Sequence, residues 1–420
     1  MIELLLVAIG IFGFALVSQR FAMSSVTAPM VFTAFGLAVG PDGLDWFHLD
    51  LTGEEVAILV EATLVLVLFT DAIRIDLRVL RSEAWLPGRL LGIGLPLTFA
   101  LGAAAAVLVF PDLTWPEAAL LAAVLAPTDA ALGQAVVSDR RLPVRLRQGL
   151  NVESGLNDGI VVPVVTVCLA LAAADAGGLD VWGPFVSRQI GFGLLIGIGS
   201  GLLGGLALHR RALGGHIEGV FRQLATLAIA ASAYAGAEAL DGNGFIAAFT
   251  AGLAFGLVAR EQCHGIQDFT EDEGQLFTAV TFTLFGAVFA GSALADLDWK
   301  TLTYAVLSLT AVRILPVVVA LWRTGTLVET RLFAGWFGPR GLASILFALL
   351  VLDELDSPRA ESIFLTATTT ILISIYAHGA TAHLWSARLA RRLEHAPAGQ
   401  PELAPAPEMP TRWKGPDRPR

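Results

Sequence analysis

The chain has 420 residues, of which 55% are hydrophobic and only 15% are charged. A soluble domain carries about 25% charged residues, so this composition excludes an ordinary soluble protein and indicates an all-α polytopic membrane protein surrounded by lipid. The net charge of −10 comes without a basic run interleaved with aromatic residues, so no nucleic-acid partner is expected. The two cysteines form neither a metal-binding nor a disulfide pattern, and we expect no cofactor.

Apolar segments that could cross a bilayer recur along the chain. We predict thirteen spans, at 2–19, 26–40, 54–73, 88–110, 116–137, 146–173, 187–208, 219–239, 243–259, 273–293, 301–322, 330–352 and 361–386. The first segment lacks the basic start and the cleavage site of a signal peptide, so it is kept as a span. An odd number of spans places the two termini on opposite sides of the membrane.

The basic residues fix the orientation. With the C-terminus in the cytoplasm, 22 of the 27 fall on the cytoplasmic side, three fall outside, and Arg313 and Arg340 lie within spans. This asymmetry satisfies the positive-inside rule and predicts an external N-terminus. Arginine supplies 25 of the 27 basic residues, a bias typical of a GC-rich bacterial genome. The expected location is the bacterial inner (plasma) membrane.

The chain divides into a membrane domain and a short tail. Residues 1–395 hold all predicted spans, whereas residues 396–420 contain seven prolines and few apolar side chains. Such a composition cannot bury enough apolar surface to fold, so the tail is predicted to be disordered in the cytoplasm.

The fifth span is interrupted by Pro127, which is followed by Thr128 and Asp129. A proline removes a backbone donor and breaks the helix, and irregular backbone at membrane depth is tolerated only where it lines a cavity. The freed carbonyls, the Thr128 hydroxyl and the Asp129 carboxylate are hard oxygen ligands suited to Na⁺ or K⁺. The alternative is a simple kink in which Asp129 caps the second half-helix.

The sixth span carries Glu153, Ser154, Asn157 and Asp158. Residues four apart share a helix face, so Glu153 lies above Asn157 and Ser154 above Asp158. A carboxylate at membrane depth is expensive and is by default a functional-site candidate. The alternative places these residues in a cytoplasmic loop, but the 16 apolar residues from 159 to 174 are short for a span on their own.

Two carboxylates on one buried helix repel each other unless a cation neutralises one. Arg313 and Arg340 are the candidates, and we expect Arg313 to pair with Glu153 and to leave Asp158 free for exchange. Arg340 lies in a glycine- and proline-containing stretch that predicts a second helix break. Paired breaks in two halves of a chain indicate an inverted-repeat transporter with its site at the membrane midplane. For Arg340 two roles stay open: it could bond the open carbonyls, or it could pair with Glu153 in place of Arg313. In the third span, Glu61 could border an access path.

The sequence resembles the first family of monovalent cation:proton antiporters in four motifs taken together. They are Thr128-Asp129, the pattern E-S-x-x-N-D at 153–158, the arginine of AVRILPV and the arginine of GPRG. This family includes the bacterial NhaP-type antiporters and the animal sodium/proton exchangers. The resemblance covers about residues 1–390. Pro339 departs from the family's usual Gly-x-Arg-Gly surroundings and indicates a sharper second break.

The resemblance implies an NhaA-like inverted-repeat fold and a homodimer. Helices 1–3 and 8–10 would form the dimer domain, helices 4–6 and 11–13 the moving core, and helix 7 the linker. It also implies a role for each site residue: Asp158 carries cation and proton in turn, Thr128, Asp129 and Ser154 supply or support ligands, Asn157 holds the crossing, and Glu153 pairs with Arg313.

The expected function is exchange of Na⁺, K⁺ or Li⁺ for H⁺, with Na⁺ favoured and with cation and proton competing for Asp158. Electrogenic relatives have a second aspartate where this chain has Asn157, so one-for-one, electroneutral exchange is predicted. The alternatives are a K⁺-selective K⁺/H⁺ antiporter, a cation channel and a proton-coupled solute symporter. An intramembrane protease using Asp129 and Asp158 lacks the glycine-flanked aspartates expected of that class.

Overall fold

The computed structural model describes residues 2–21, 25–47, 54–75, 80, 83–129, 131–173, 179–213, 217, 219–259, 275–276, 278–355, 358–397 and 399–406. All regular structure in these ranges is helical, as expected where lipid offers no partner to backbone N–H and C=O groups. In chain order the helices are α1 (Ile2–Phe21), α2 (Ala28–Val39), α3 (Glu54–Arg74), α4 (Trp85–Val109), α5 (Trp115–Val124), α6 (Gln134–Val137), α7 (Val144–Ala173), α8 (Leu179–Leu213), α9 (Gly219–Glu238), α10 (Gly244–Val258), α11 (Thr278–Ala295), α12 (Trp299–Ala320), α13 (Val328–Trp336), α14 (Leu342–Glu354) and α15 (Pro358–Glu394).

Seven of the described helices are long and apolar enough to cross a membrane by themselves, namely α1, α4, α7, α8, α11, α12 and α15. Helical residues occupy every predicted span, and the predicted spans at 116–137 and 330–352 are each divided into two helices. The chain is therefore an all-α, multi-pass membrane protein. The count of thirteen crossings stays a prediction.

The helices pack as two groups that meet along α3, α7 and α14, and also where α15 contacts α2 and α11. In one group α10 packs against α3, α8 and α9, while α2 packs against α11. Small residues allow these close approaches: a Cβ on Gly252 of α10 would collide with the backbone oxygen of Phe69 in α3. The other group contains α4–α7 and α12–α15, and it carries both interrupted spans.

Part of the predicted disordered tail is folded against this second group. Pro401–Leu403 form a turn of 3₁₀ helix, and the Glu402 side chain is 1% exposed. Its Oε1 accepts hydrogen bonds from the Leu327 backbone N–H and the Thr330 hydroxyl, both at 2.9 Å, at the start of α13. For residues 399–406 the structure thus differs from the predicted disorder, because free donors at a helix N-terminus attract a carboxylate. Residues 407–420 lie outside the described residues.

Candidate functional site

Two interrupted helices cross each other in the α4–α7, α12–α15 group. Between α5 and α6 the chain is non-helical around Thr128, and between α13 and α14 it is non-helical around Pro339. The two stretches are in direct contact, since the Asp129 N–H donates to the Pro339 carbonyl at 2.8 Å. The break predicted at Pro127 and the break predicted near Arg340 therefore meet at one place, which we call the crossing.

Arg340 closes the crossing from one side. Its side chain is fully buried, and its Nη1 donates to the carbonyls of Ala126 at 2.7 Å and Pro127 at 3.0 Å. These are the carbonyls that the broken helix leaves open, and the sequence analysis expected them to bind a cation. The guanidinium takes one acceptor position on each of them, so the binding of a cation by these carbonyls stays a prediction. Arg340 has the role of bonding open carbonyls.

Asp129 closes the crossing from the other side. Its Oδ1 accepts from the backbone N–H groups of Ala131 at 2.6 Å and Leu132 at 3.2 Å, and its Oδ2 accepts from that of Leu342 at 2.6 Å. One carboxylate therefore bonds both the turn that leads into α6 and the N-terminus of α14. A negative charge is favourable at such a position, because the N–H groups there lack partners within the helix.

Glycines let the two breaks approach this closely. A Cβ on Gly341 would fall on the carboxylate of Asp129, and a Cβ on Gly338 would fall on the guanidinium of Arg313 and approach Thr128. Since any larger side chain would push the breaks apart, the glycines of the second break are required by the packing.

The ion pair predicted for the sixth span is present on α7. Arg313 Nη2 lies 2.6 Å from Glu153 Oε1, and the two side chains are 1% and 2% exposed. Arg313 rather than Arg340 is thus the partner of Glu153. The pair joins α7 to α12 in the interior, where each charge would be costly without the other.

Next to this pair, three uncharged polar side chains form one network. Asn157 Nδ2 donates to Thr128 Oγ1 at 2.7 Å, and Thr128 Oγ1 lies 2.9 Å from Ser154 Oγ. All three are at most 9% exposed, and Asn157 Oδ1 is a buried acceptor that no donor reaches within the described ranges. Asp158, the next residue on α7, is 6% exposed. The network links the first break to the helix that carries the carboxylate.

Glu61 lies apart from the crossing. The Tyr234 hydroxyl of α9 donates to Glu61 Oε2 of α3 at 2.9 Å. Glu238, the last residue of α9, and Glu354, the last residue of α14, interact with Glu61 electrostatically. Acidic side chains of both helix groups therefore gather near this pair, and the hydrogen bond of Glu61 is made to α9 and not to the crossing.

Sequence reasoning missed the polar side chains that α15 contributes to the crossing. Ser374 and His378 are buried and bond the second break. On α14, Ser344 was missed as well, and its Oγ donates to the Val124 carbonyl beside the first break at 2.8 Å. The signal available was the polar content of the last span, TATTTILISIYAHG at 366–379. A span this rich in threonine and serine buries them against protein rather than lipid.

Residues 4–387 match the family model described as "Sodium/hydrogen exchanger, transmembrane". The chain belongs to the sodium/hydrogen exchanger family. This family membership accounts for the polar crossing inside an apolar protein.

Relatives within this exchanger family differ in the cation that their names give. The chain is 26% identical over 366 residues to "K(+)/H(+) antiporter NhaP2" of Shewanella sp. (strain ANA-3), covering 86% of this chain and 62% of that protein. It is 28% identical over 357 residues to "Na(+)/H(+) antiporter 2" of Zygosaccharomyces rouxii, covering 78% of this chain and 43% of that protein. The chain thus spans less than two thirds of the length of these relatives.

The exchanger fold is also similar to a solved structure. The sodium proton antiporter MjNhaP1 from Methanocaldococcus jannaschii at pH 8 superposes with a TM-score of 0.75 and 19% sequence identity. The match covers 92% of this chain and 97% of that chain. At this identity the likeness concerns the fold alone.

Proposed function

We propose that the protein is a secondary active transporter that exchanges a monovalent cation for H⁺ across the membrane. Asp158 is the group that binds either the cation or the proton, never both at once. The observation that carries this proposal is the buried Asp158 carboxylate on α7, one residue after Asn157 and one turn after Ser154, whose side chains bond Thr128 at the crossing of two broken helices. Charged side chains at such positions belong to ion pathways.

The charges of the crossing support one-for-one exchange. Three buried carboxylates, Asp129, Glu153 and Asp158, accompany two buried guanidiniums, Arg313 and Arg340. With all five ionised, the crossing carries one excess negative charge, and a single Na⁺ or a single H⁺ neutralises it. The two loaded forms then carry the same charge, so the cycle moves no net charge, and the empty form is the one that lipid opposes.

The set of proposed cation ligands is smaller than the set that the sequence indicated. Asp158, Thr128 and Ser154 hold the cation, and Asn157 both bonds Thr128 and offers its buried Oδ1. Asp129 supports the site without ligating the ion, because backbone N–H groups already engage both of its oxygens. Glu153 and Arg313 hold α7 against α12.

Transport follows an alternating-access scheme in which the group α4–α7 with α12–α15 moves against the other helices and exposes Asp158 to each side in turn. Each protomer consists of this moving core, a dimer domain built from α1–α3 and α9–α11, and the linker helix α8, and two protomers form a homodimer in lipid. We place the protein in a bacterial inner membrane, with the N-terminus outside and the C-terminus in the cytoplasm.

A K⁺/H⁺ antiporter is the second candidate, because the Shewanella relative is named for K⁺. Na⁺, K⁺ and Li⁺ prefer the same oxygen ligands, and they differ only in the size of cage that suits them. The ligand set therefore permits each of them, with Na⁺ as the first expectation.

The deciding experiment uses the purified protein in sealed proteoliposomes that contain a pH-sensitive dye. Adding Na⁺, K⁺ or Li⁺ in turn should release protons from the wild type, and Asp158→Asn should abolish the response to every cation. Asp112→Asn is the matched control, because the Asp112 side chain is 90% exposed. Wild-type exchange in Asp158→Asn would refute the carrier role.

The same vesicles separate the rival transport classes. A potential-sensitive dye should stay silent during exchange, since no net charge moves. A cation channel would instead polarise the vesicles without a pH change. A proton-coupled symporter would move protons only when an organic solute was added.

A further inference from the structure

His378 lies beside the second break and is 2% exposed. Its Nε2 is 2.9 Å from the carbonyl oxygen of Trp336, the last residue of α13. Its Nδ1 is 3.1 Å from Ser374 Oγ and 2.9 Å from the Ser374 carbonyl, one turn earlier on α15. The ring therefore bridges α15 to the point where α13 ends.

Ser374 reaches the other end of the same break. Its Oγ accepts a hydrogen bond from the backbone N–H of Arg340 at 2.8 Å. Two residues of one helix thus hold the break at both ends, Trp336 through His378 and Arg340 through Ser374. A buried backbone N–H or C=O left without a partner carries a full desolvation penalty, so these bonds restrict the geometry of the break.

One neutral tautomer of His378 satisfies the Trp336 carbonyl, the Ser374 hydroxyl and the Arg340 N–H in sequence. A neutral imidazole protonated on Nε2 donates to the Trp336 carbonyl, while its Nδ1 accepts from the Ser374 hydroxyl. That hydroxyl in turn accepts from the Arg340 N–H. A second proton on the ring would force the Ser374 hydroxyl to find another acceptor, and it would add a positive charge beside Arg340.

We propose that Ser374 and His378 are positioning residues for the cation site, an inference that rests on the proposed function. The bonds continue from Ser374 through Arg340 to the carbonyls of Ala126 and Pro127, and Thr128 follows directly in the chain. Thr128 then bonds Ser154 and Asn157. Neither Ser374 nor His378 touches the cation, and both set where the Thr128 hydroxyl stands.

The test compares Ser374→Ala with Ser386→Ala in proteoliposomes. Ser386 lies on the same helix, is equally buried, and its hydroxyl has no hydrogen-bond partner in the described part of the chain. We expect Ser374→Ala to raise the KM for the cation about fivefold to tenfold with a maximal rate within about twofold of wild type, since a change of about 1.4 kcal/mol is tenfold in affinity. Ser386→Ala should keep the wild-type KM.

His378 supplies a second, independent comparison. His378→Leu removes both bonds and should raise the KM as Ser374→Ala does, whereas His378→Gln keeps one donor and one acceptor and should restore most of the affinity. The pH dependence of exchange should be the same in His378→Gln and wild type, because the proposed role uses the hydrogen bonds of a neutral ring and no titration. If Ser374→Ala does not fold, the two His378 variants decide the matter.

Equal KM values for Ser374→Ala and Ser386→Ala would overturn the inference, and so would equal KM values for His378→Leu and His378→Gln. A pH profile of exchange in His378→Gln that differs from that of the wild type would overturn it as well. Each of these outcomes requires a wild type that exchanges cations for protons. A wild type without any such exchange refutes the proposed function instead, so the two failures are distinguishable.

Discussion

Arg313 and Glu153 form an ion pair inside the protein, with Nη2 2.6 Å from Oε1 and both side chains at most 2% exposed. Taking two charges out of water is expensive, and their mutual attraction only offsets that expense. Removing one partner therefore lowers the stability more than the intact pair raises it, because the remaining partner is then a buried charge without compensation.

We expect Arg313→Ala to lower the free energy of unfolding by about 3–5 kcal/mol, the usual result of removing one member of a buried pair. The double variant Arg313→Ala/Glu153→Ala should recover part of this loss, because it also removes the stranded carboxylate. Thermal unfolding of the purified protein in detergent measures both.

The exposed pair Arg392–Glu329 is the matched control, with side chains 56% and 46% exposed. Arg392→Ala should change the free energy of unfolding by less than about 1 kcal/mol. A double variant at positions 313 and 153 that is no more stable than Arg313→Ala would show that Glu153 depends on Arg340 instead.

Thr128 tests the polar network at the crossing. Thr128→Val keeps the shape of the side chain but removes the hydroxyl, which leaves Asn157 Nδ2 and Ser154 Oγ without this partner. We expect the KM for the cation to rise about tenfold, as for the loss of one hydrogen bond worth about 1.4 kcal/mol. Initial rates in the pH-dye assay give this value.

Thr98→Val is the control for that substitution, since the buried Thr98 hydroxyl on α4 has no hydrogen-bond partner within the described ranges. Thr128→Ser should retain an affinity near that of wild type, because the hydroxyl is kept. Equal KM values for Thr128→Val and Thr98→Val would remove Thr128 from the site.

Much of the crossing could be predicted from residue chemistry alone. Pro127 predicts an interruption beside Thr128 and Asp129, although α7 and α12 continue through Pro163 and Pro316. A buried carboxylate such as Glu153 needs a cation, and away from their ends the predicted spans offer Arg313 and Arg340. The partner of each group was harder to predict. Arg340 bonds carbonyls more than 200 residues away in sequence, so its acceptors depend on how the two halves of the chain pack.

Two other features could not be read from the sequence for physical reasons. Ser374 and His378 are two of many polar residues on α15, and helical spacing does not reveal which of them face the backbone groups of the break. The tail has the composition of a disordered segment, yet one carboxylate, that of Glu402, meets the free N–H at the start of α13. Composition averages over a segment and cannot report one such contact.

Gly341 tests how closely the two breaks must approach. A Cβ at this position would overlap the Asp129 carboxylate, which bonds the Leu342 N–H one residue further on. We expect Gly341→Ala to destabilise the protein by about 2–4 kcal/mol, because it disrupts this cap and overpacks a buried site. Thermal unfolding with and without the cation should show a lower Tm and a smaller stabilisation by the cation.

Gly199→Ala is the matched control, since a Cβ on Gly199 of α8 would meet nothing within 4 Å. Alanine is the better helix former by about 1 kcal/mol, so this variant should be as stable as wild type or slightly more stable. A Gly341→Ala protein with the wild-type Tm would mean that the two breaks can move apart without loss of stability.

Glu402 tests whether the tail stabilises the membrane domain. Its Oε1 accepts from the Leu327 N–H and the Thr330 hydroxyl, and the Pro401 carbonyl accepts from Arg145 Nη1 at 3.0 Å. The tail thus ties the start of α13 to the start of α7, the two helices that lead into the crossing. We expect Glu402→Ala to lower the free energy of unfolding by about 1–2 kcal/mol, the value of a lost helix cap, and to lower the Tm accordingly.

Truncation after Ala406 is the matched control, because it removes residues 407–420 and keeps every tail contact described above. That variant should unfold at the wild-type temperature, whereas truncation after Glu394 should unfold at or below the temperature of Glu402→Ala. If the longer truncation were as stable as wild type, the contact at the start of α13 would contribute nothing to the stability of the membrane domain. In the pH-dye assay, the protein truncated after Glu394 should keep the wild-type KM for the cation. The reason is that the tail contacts α13 and affects stability, whereas the ligands at Asp158 are unchanged.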